Sequence, residues 1–116
     1  MIRVMALYPR TNDTFFNMDH YLNRHIPLVQ AKAREIGINV GIQVDEGLGT
    51  LTPDEPAPYF IVGFMNFDKI EDFQNLVAIH GNELLGDVGN FTNVPYRMQI
   101  SNTIFSAELD FVQQVE

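Results

Sequence analysis

The pattern of apolar and polar positions predicts four β-strands. A period of two, which is typical of strands, runs over residues 2–8, 39–46, 58–67 and 96–105. The third of these segments is the most apolar in the chain. The stretch before it, residues 47–58, contains three prolines and two acidic residues, which predicts an exposed connecting loop.

Two other segments predict helices, because their apolar side chains recur at every third or fourth position. The first helix is expected over residues 14–36, ending at Gly37. The second is expected from about residue 69 to 79, with an extension to residue 88 after a break near Gly81. Polar residues ahead of these segments are candidates for N-caps: Thr11, Asn12 and Asp13 for the first helix, and the pair Asp68 and Glu71 for the second.

The resulting order, βαββαβ, predicts an α+β domain of the ferredoxin-like class. Right-handed crossovers fold two βαβ halves into a four-stranded antiparallel sheet with both helices on one face. The first and third strands are apolar on both faces and are therefore expected at the centre of the sheet. The domain is expected to span residues 1–105 and to be followed by a C-terminal tail over residues 106–116.

The sheet face that the helices leave open is expected to be apolar. In the third strand Phe60, Val62 and Phe64 alternate with Tyr59, Ile61 and Met65, so both faces need cover. An open apolar sheet face exceeds the patch that soluble monomers usually expose, which predicts a homodimer through this face. The tail over residues 106–116 then has two possible positions: it packs on the partner subunit, or residues 109–112 fold back over the chain's own sheet.

Charge and composition narrow the partners to small molecules and other protein chains. Seven Lys and Arg against fifteen Asp and Glu give a net charge of −8, which argues against nucleic acid and against an anionic membrane surface. No apolar run approaches the ~20 residues that span a bilayer. The chain has no cysteine, which fits a cytoplasmic location and excludes thiolate metal sites. Neither a metal nor a cofactor is predicted.

The most chemically suggestive position is His25 in the first helix. Tyr21 precedes it by four residues, so the two side chains share one helical face. Pro27 cannot donate an N–H to the carbonyl of Asn23, and the helix is therefore expected to break or kink beside the imidazole. At such a break His25 can transfer a proton and Tyr21 can hydrogen-bond a substrate oxygen. In the alternative interpretation His25 only caps the first helical segment.

The other two histidines offer weaker candidates. His20 has Asp19 and Arg24 as neighbours and is expected on a solvated face. His80 precedes Gly81, where the second helix is expected to end, and a histidine is favourable at a helix C-terminus without any catalytic role. The three histidines lack the spacing of a metal motif.

Several segments together resemble the EthD family, named for a protein of ethyl tert-butyl ether degradation. The most specific is residues 21–28, with the pattern Tyr-x-x-x-His-x-Pro-Leu. Shorter matches surround it: Leu7-Tyr8-Pro9, Pro58-Tyr59, Phe67-Asp68 and Asn90-Phe91. The resemblance covers roughly residues 1–105, and it departs from the family at residues 35–38, which replace the usual proline-glycine turn.

The resemblance implies a dimeric α+β barrel with His25 and Tyr21 at a pocket for a small hydrophobic molecule. The wider superfamily includes muconolactone-type isomerases, polyketide cyclases, small monooxygenases and haem-handling proteins, so the fold does not select a reaction. One expectation is an isomerase, cyclase or oxygenase-associated enzyme acting on a small apolar or aromatic carbonyl metabolite in a degradation pathway. The alternatives are a dimeric module that binds or delivers a hydrophobic ligand, and a purely structural dimer.

Overall fold

The computed structural model describes residues 1–109, which form one antiparallel sheet with helices on one face. The strands are β1 (Ile2–Pro9), β2 (Gly41–Glu46), β3 (Tyr59–Phe67) and β4 (Arg97–Asn102). Their order across the sheet is β2-β3-β1-β4, and every neighbouring pair is antiparallel. The ferredoxin-like arrangement and the central position of the first and third strands are confirmed.

The first helical segment begins later than its apolar pattern predicts. It consists of α1 (Met18–His20), a π-helical turn (Tyr21–His25) and α2 (Ile26–Glu35). Asn17 is the N-cap, and its side chain accepts a hydrogen bond from the N–H of His20 at 3.0 Å. The predicted caps at residues 11–13 are wrong, because Phe16 forms a β-bridge with Thr92 and so holds the chain out of the helix up to that point.

Pro27 does not break this helix. The N–H of Ile26 bonds to the carbonyl of Tyr21, five residues earlier, and the backbone stays helical at both His25 and Ile26. Pro27 lies in the first turn of α2, where its missing N–H is tolerated. The expected break is therefore replaced by one wide π turn, a feature frequently found at functional sites.

The second helix is also continuous where a break was expected. Helix α3 (Ile70–Gly86) passes through Gly81 without interruption, and its N-cap, Lys69, makes no capping hydrogen bond with its side chain. The predicted capping box does not set this end. Glycine inside a helix costs only about 1 kcal/mol relative to alanine, and Gly81 is buried, so packing keeps the helix intact.

The core lies between the sheet and the helices. One cluster of buried residues surrounds Tyr8, Tyr21 and Phe91, and a second surrounds Phe67 and Leu76. Strand alternation places Met5, Leu7, Val62 and Phe64 on the opposite sheet face, where they are only half-buried. Both faces of the central strands are thus apolar, as the sequence predicts.

In the chain beyond β4, as far as residue 109, the side chains of Ile104, Phe105 and Leu109 are exposed. The two positions considered for the tail over residues 106–116 depend mainly on residues 110–116, which lie outside the described part of the chain. Within residues 1–109 no helix is both long enough and apolar enough to cross a bilayer.

Candidate functional site

The π turn brings Tyr21 and His25 to the inner side of the first helical segment. Both residues are buried, and their rings are nearly parallel at 15° with centroids 6.0 Å apart. The ring of Phe91 lies against both, 4.9 Å from Tyr21 and 4.7 Å from His25. The prediction that these two side chains meet on one face is confirmed, and their catalytic role stays a prediction.

A residue that the sequence did not reveal, Asp87, holds the imidazole of His25. Asp87 directly follows α3, and its Oδ2 lies 2.9 Å from Nδ1 of His25. Nε2 of His20 lies 3.0 Å from Oδ1 and 3.1 Å from Oδ2. Nδ2 of Asn90 donates to Oδ1 at 2.9 Å. One carboxylate therefore joins two histidines of the first helical segment to the turn that follows α3.

The charge of Asp87 determines the tautomers of its partners. Burial alone would raise the pKa of Asp87, but hydrogen bonds from Asn90, His25 and His20 outweigh it and lower the pKa to about 2. An ionised carboxylate only accepts hydrogen bonds. Neutral His25 must therefore carry its proton on Nδ1, and its Nε2 keeps a free lone pair.

Burial has the opposite effect on His25. Desolvation lowers the pKa of His25, and the nearby His20 lowers it further, while the hydrogen bond and the charge of Asp87 raise it without reversing the shift. His25 is consequently neutral at pH 7. A neutral imidazole held by a carboxylate at one nitrogen is a base at the other.

His20 and His80 both differ from their predicted settings. His20 does not lie on a solvated face: 24% of its side chain is exposed, and the ring contacts Asp87. His80 lies inside α3 and not at its end. Its buried Nε2 has no hydrogen-bond partner within residues 1–109, and the nearest carboxylate oxygen, Oε1 of Glu35, is 3.8 Å away.

The hydroxyl of Tyr21 is placed over the centre of the sheet. It lies above Gly63 in β3, where a Cβ atom would come within 2.6 Å of it. Burial raises the pKa of Tyr21 to about 12. Burial, followed by Tyr21 and Tyr96, also raises the pKa of the neighbouring Tyr8. Both phenols are therefore protonated at neutral pH and can donate a hydrogen bond.

A cavity of about 260 Å³ lies against these groups, between the sheet and the helices. Its volume is close to the lower end of the ~300–1,000 Å³ typical of small-molecule sites. Most of its lining is aliphatic or aromatic, including Val29, Phe73, Leu76, Leu84 and Met98. No Asp, Glu, Lys or Arg of the described chain lines it. Its side-chain polar groups are the imidazole of His25 and the hydroxyls of Tyr8 and Tyr21.

Metal ligands are not assembled at this site. Across residues 1–109 no three His, Asp or Glu side chains form a group that could hold a metal ion. His20 and His25 each use one ring nitrogen for a hydrogen bond to the carboxylate of Asp87. These two nitrogens therefore share one partner and do not converge on a position that a metal ion could occupy. The site therefore contains a base, a carboxylate and hydroxyl donors.

Comparison with solved structures relates this arrangement to known proteins. An EthD-like protein from Ralstonia eutropha JMP134 superposes with a TM-score of 0.82 at 28% sequence identity, over 91% of this chain and 94% of that one. The chain is similar to the EthD-like proteins. An ethyl tert-butyl ether degradation (EthD) family protein from Bacillus halodurans C-125 shares the fold, with a TM-score of 0.58 and 18% identity over 90% and 99% of the two chains.

The EthD-like fold extends to a further group. An antibiotic biosynthesis monooxygenase superposes with a TM-score of 0.53 at 10% identity, covering 90% of this chain and 99% of that one. No model of a known family matches the sequence, and no curated protein does either. These similarities show a ferredoxin-like fold of the EthD-like type, and they specify neither a reaction nor a substrate.

Proposed function

We propose that the cavity binds a small, uncharged, largely apolar metabolite with a carbonyl or enol oxygen, and that His25 exchanges a proton with it. The observation that carries this proposal is the hydrogen bond from Nδ1 of His25 to Asp87 at the wall of an apolar cavity. It leaves Nε2 as the basic nitrogen. Tyr21, also in the cavity wall, is the donor for the ligand oxygen.

The electrostatics of the lining favour an uncharged ligand. A carboxylate buried there would lose its hydration without meeting a Lys or Arg, and this costs several kcal/mol. The carboxylate of Asp87, on the far side of His25, would also repel an anion. An apolar ring or chain fits the aliphatic walls, with one oxygen directed at the polar end.

The geometry supports removal of a proton from the carbon beside a carbonyl group. Nε2 of His25 takes the proton, and the imidazolium that forms is stabilised by Asp87, which stays ionised with a pKa of about 2. The enolate oxygen that develops accepts a hydrogen bond from Tyr21, whose pKa of about 12 keeps its proton in place. In a ligand with a carbon–carbon double bond next to that carbon, the proton removed leaves a dienolate, and its return to the far end of the dienolate moves the double bond and gives an isomerisation. A positioned base of this kind contributes a factor of ~10²–10⁴ in rate.

Binding is tested with three ligands that share a phenyl ring: acetophenone, ethylbenzene and benzoate. We expect acetophenone to raise the melting temperature most, ethylbenzene less, and benzoate not at all, because ligands that bind only the folded state stabilise it by mass action. A larger effect of benzoate than of acetophenone would contradict the proposed preference for an uncharged ligand.

Proton transfer is tested by deuterium exchange into the methyl group of acetophenone in D₂O, followed by NMR. We expect the protein to accelerate the exchange, His25→Gln to abolish the acceleration, and Tyr21→Phe to reduce it. His80→Gln is the matched control, because His80 lies on α3 outside the cavity lining. Exchange that His25→Gln leaves unchanged would show that His25 is not the base.

The second candidate function is a binding or delivery module without catalysis, which the predominantly apolar lining favours. Apolar burial would then carry the affinity. In that case acetophenone would stabilise the wild type and His25→Gln equally, and no exchange would be accelerated in either protein.

We also propose that the protein acts as a homodimer through the sheet face opposite the helices. The half-buried side chains of Met5, Leu7, Val62 and Phe64 on this face support the proposal, because soluble monomers rarely expose an apolar patch of this kind. A second copy covers the face with an identical one, in the twofold arrangement that is commonest among homo-oligomers.

A further inference from the structure

We propose that His20 is a positioning residue of the site, which competes with His25 for the single negative charge of Asp87 and thereby controls when His25 accepts a proton. This inference rests on the proposed role of His25 as the base. His20 lies outside the cavity lining and therefore acts through Asp87, without contacting the ligand.

The hydrogen bonds around Asp87 fix the orientation of its carboxylate. Nε2 of His20 lies at nearly equal distances, 3.0 and 3.1 Å, from the two carboxylate oxygens, and Asn90 fixes Oδ1 at 2.9 Å. These two donors orient the carboxylate so that Oδ2 accepts the Nδ1–H of His25 at 2.9 Å. His20 thus sets the direction of the bond that selects the tautomer of His25.

The two histidines share the single negative charge of Asp87. With both imidazoles neutral, the group holds one negative charge. Protonation of one histidine neutralises the group, and protonation of the second gives it a net positive charge in a largely buried place. Two sites that share one counter-charge titrate as a coupled pair, and the effect of each on the other is reciprocal. A proton on His20 therefore disfavours a proton on His25.

No other charged side chain of the described residues takes part in these hydrogen bonds. Besides Asp87, the titratable groups facing His25 are the phenols of Tyr21 and Tyr8 in the cavity wall, which are protonated at neutral pH, and His20 on its own helical segment. The ring of Phe91, a core residue, lies against both imidazoles, 4.7 Å from His25 and 6.5 Å from His20. Exposure differs between the two histidines, with side chains 24% and 11% exposed for His20 and His25 respectively. His20 is thus the more open of the pair to solvent protons.

The test is an NMR titration of the full chain labelled with ¹⁵N at the histidines, comparing wild type with His20→Gln and His20→Ala. Glutamine can donate an N–H to Asp87 but cannot become charged. We expect His20→Gln to keep the Nδ1–H tautomer of His25. We also expect it to move the titration midpoint of His25 upward by roughly 0.5–1 pH unit, because the repulsion from one nearby positive charge, partly screened by solvent, is removed. His20→Ala is expected to weaken the tautomer preference as well.

His80 is the internal control in every spectrum, since within residues 1–109 it takes no part in the hydrogen bonds of Asp87, and its signals should be the same in wild type and variants. An unchanged His25 midpoint in His20→Gln, with the protein folded by circular dichroism, overturns the coupling. A tautomer that is indifferent to both His20 variants overturns the positioning role.

The exchange of deuterium into acetophenone separates this inference from the proposed function. With both correct, the acid limb of the exchange profile moves upward in His20→Gln together with the midpoint of His25. A shifted midpoint without any exchange supports the role of His20 and contradicts His25 as a base for this class of ligand. Exchange with an unshifted midpoint contradicts the role of His20 alone.

Discussion

The hydroxyl of Tyr21 occupies the space that a side chain at Gly63 would fill. A Cβ atom built on Gly63 would lie 2.6 Å from the phenolic oxygen, which is closer than real Cβ atoms approach their neighbours. The position in β3 pairs with Ala6 in the neighbouring strand β1, so the centre of the sheet under the cavity is formed by the two smallest side chains.

Gly63→Ala is therefore expected to displace Tyr21 and to destabilise the fold. Overpacking of this kind costs about 1–3 kcal/mol, measured as the change in the free energy of unfolding in urea. In the Tyr21→Phe background the hydroxyl is absent, and the same substitution should cost less. Gly86→Ala is the matched control, because a Cβ there meets nothing within 4 Å. Strictly additive effects of Gly63→Ala and Tyr21→Phe would contradict the contact.

Phe91→Ala is expected to be among the most destabilising substitutions in the chain. Its ring is fully buried and lies against both Tyr21 and His25. Removing a buried phenyl ring typically costs ~3–5 kcal/mol, again measured by urea unfolding. Phe15→Ala, at a half-exposed phenylalanine, should cost less than about 1 kcal/mol. Similar losses for the two variants would mean that Phe91 is not the centre of this cluster.

Stability is expected to fall as the pH drops below about 6.5. The pKa of His25 is lower in the folded chain than its ordinary value of 6.5, so the unfolded state binds a proton at a higher pH than the folded state does. The free energy of unfolding therefore decreases as the pH falls from about 6.5 toward the folded pKa. Asp87 adds a second loss between pH 3.8 and about 2, since its folded pKa is also lowered.

Urea unfolding of wild type and His25→Gln at a series of pH values measures the first of these losses. Between about pH 5 and 7 the free energy of unfolding should change less with pH in His25→Gln than in the wild type. In His80→Gln, which retains His25, it should change with pH as in the wild type. Equal slopes for wild type and His25→Gln would show that His25 is not desolvated as described.

Val62→Asp is expected to convert the proposed dimer into a monomer. Val62 lies in a central strand, opposite Leu7 of β1 in the register, and a carboxylate there would be buried without a partner in the dimer. Light scattering after size-exclusion chromatography should give the mass of two chains for the wild type and of one for the variant. Ile79→Asp, at an exposed position of α3, should leave the mass unchanged. A monomeric wild type would refute the dimer.

The order of elements, the sheet arrangement and the meeting of Tyr21 with His25 could all be predicted from the sequence. These follow from local periodicity: a period of two or of about 3.6 fixes which side chains share a face, and residues four apart on a helix are neighbours whatever surrounds them. The apolar character of both faces of β1 and β3 is likewise visible in the order of their residues.

The surroundings of that pair, in contrast, become visible only in the folded chain. Asp87 is 62 residues from His25, and its setting, Gly-Asp-Val-Gly-Asn, has the composition of an ordinary turn, so no local signal connects the two. The apolar spacing along the first helical segment does not distinguish a π turn from a break at Pro27, and α3 continues through Gly81 because burial outweighs a weak local preference. His20 appeared to be a surface residue from its neighbours in sequence, yet the fold brings it to a buried carboxylate. Contacts between segments that are far apart in the sequence leave no periodic pattern in the order of residues. For that reason Asp87, which holds the proposed base, could not be found from the sequence.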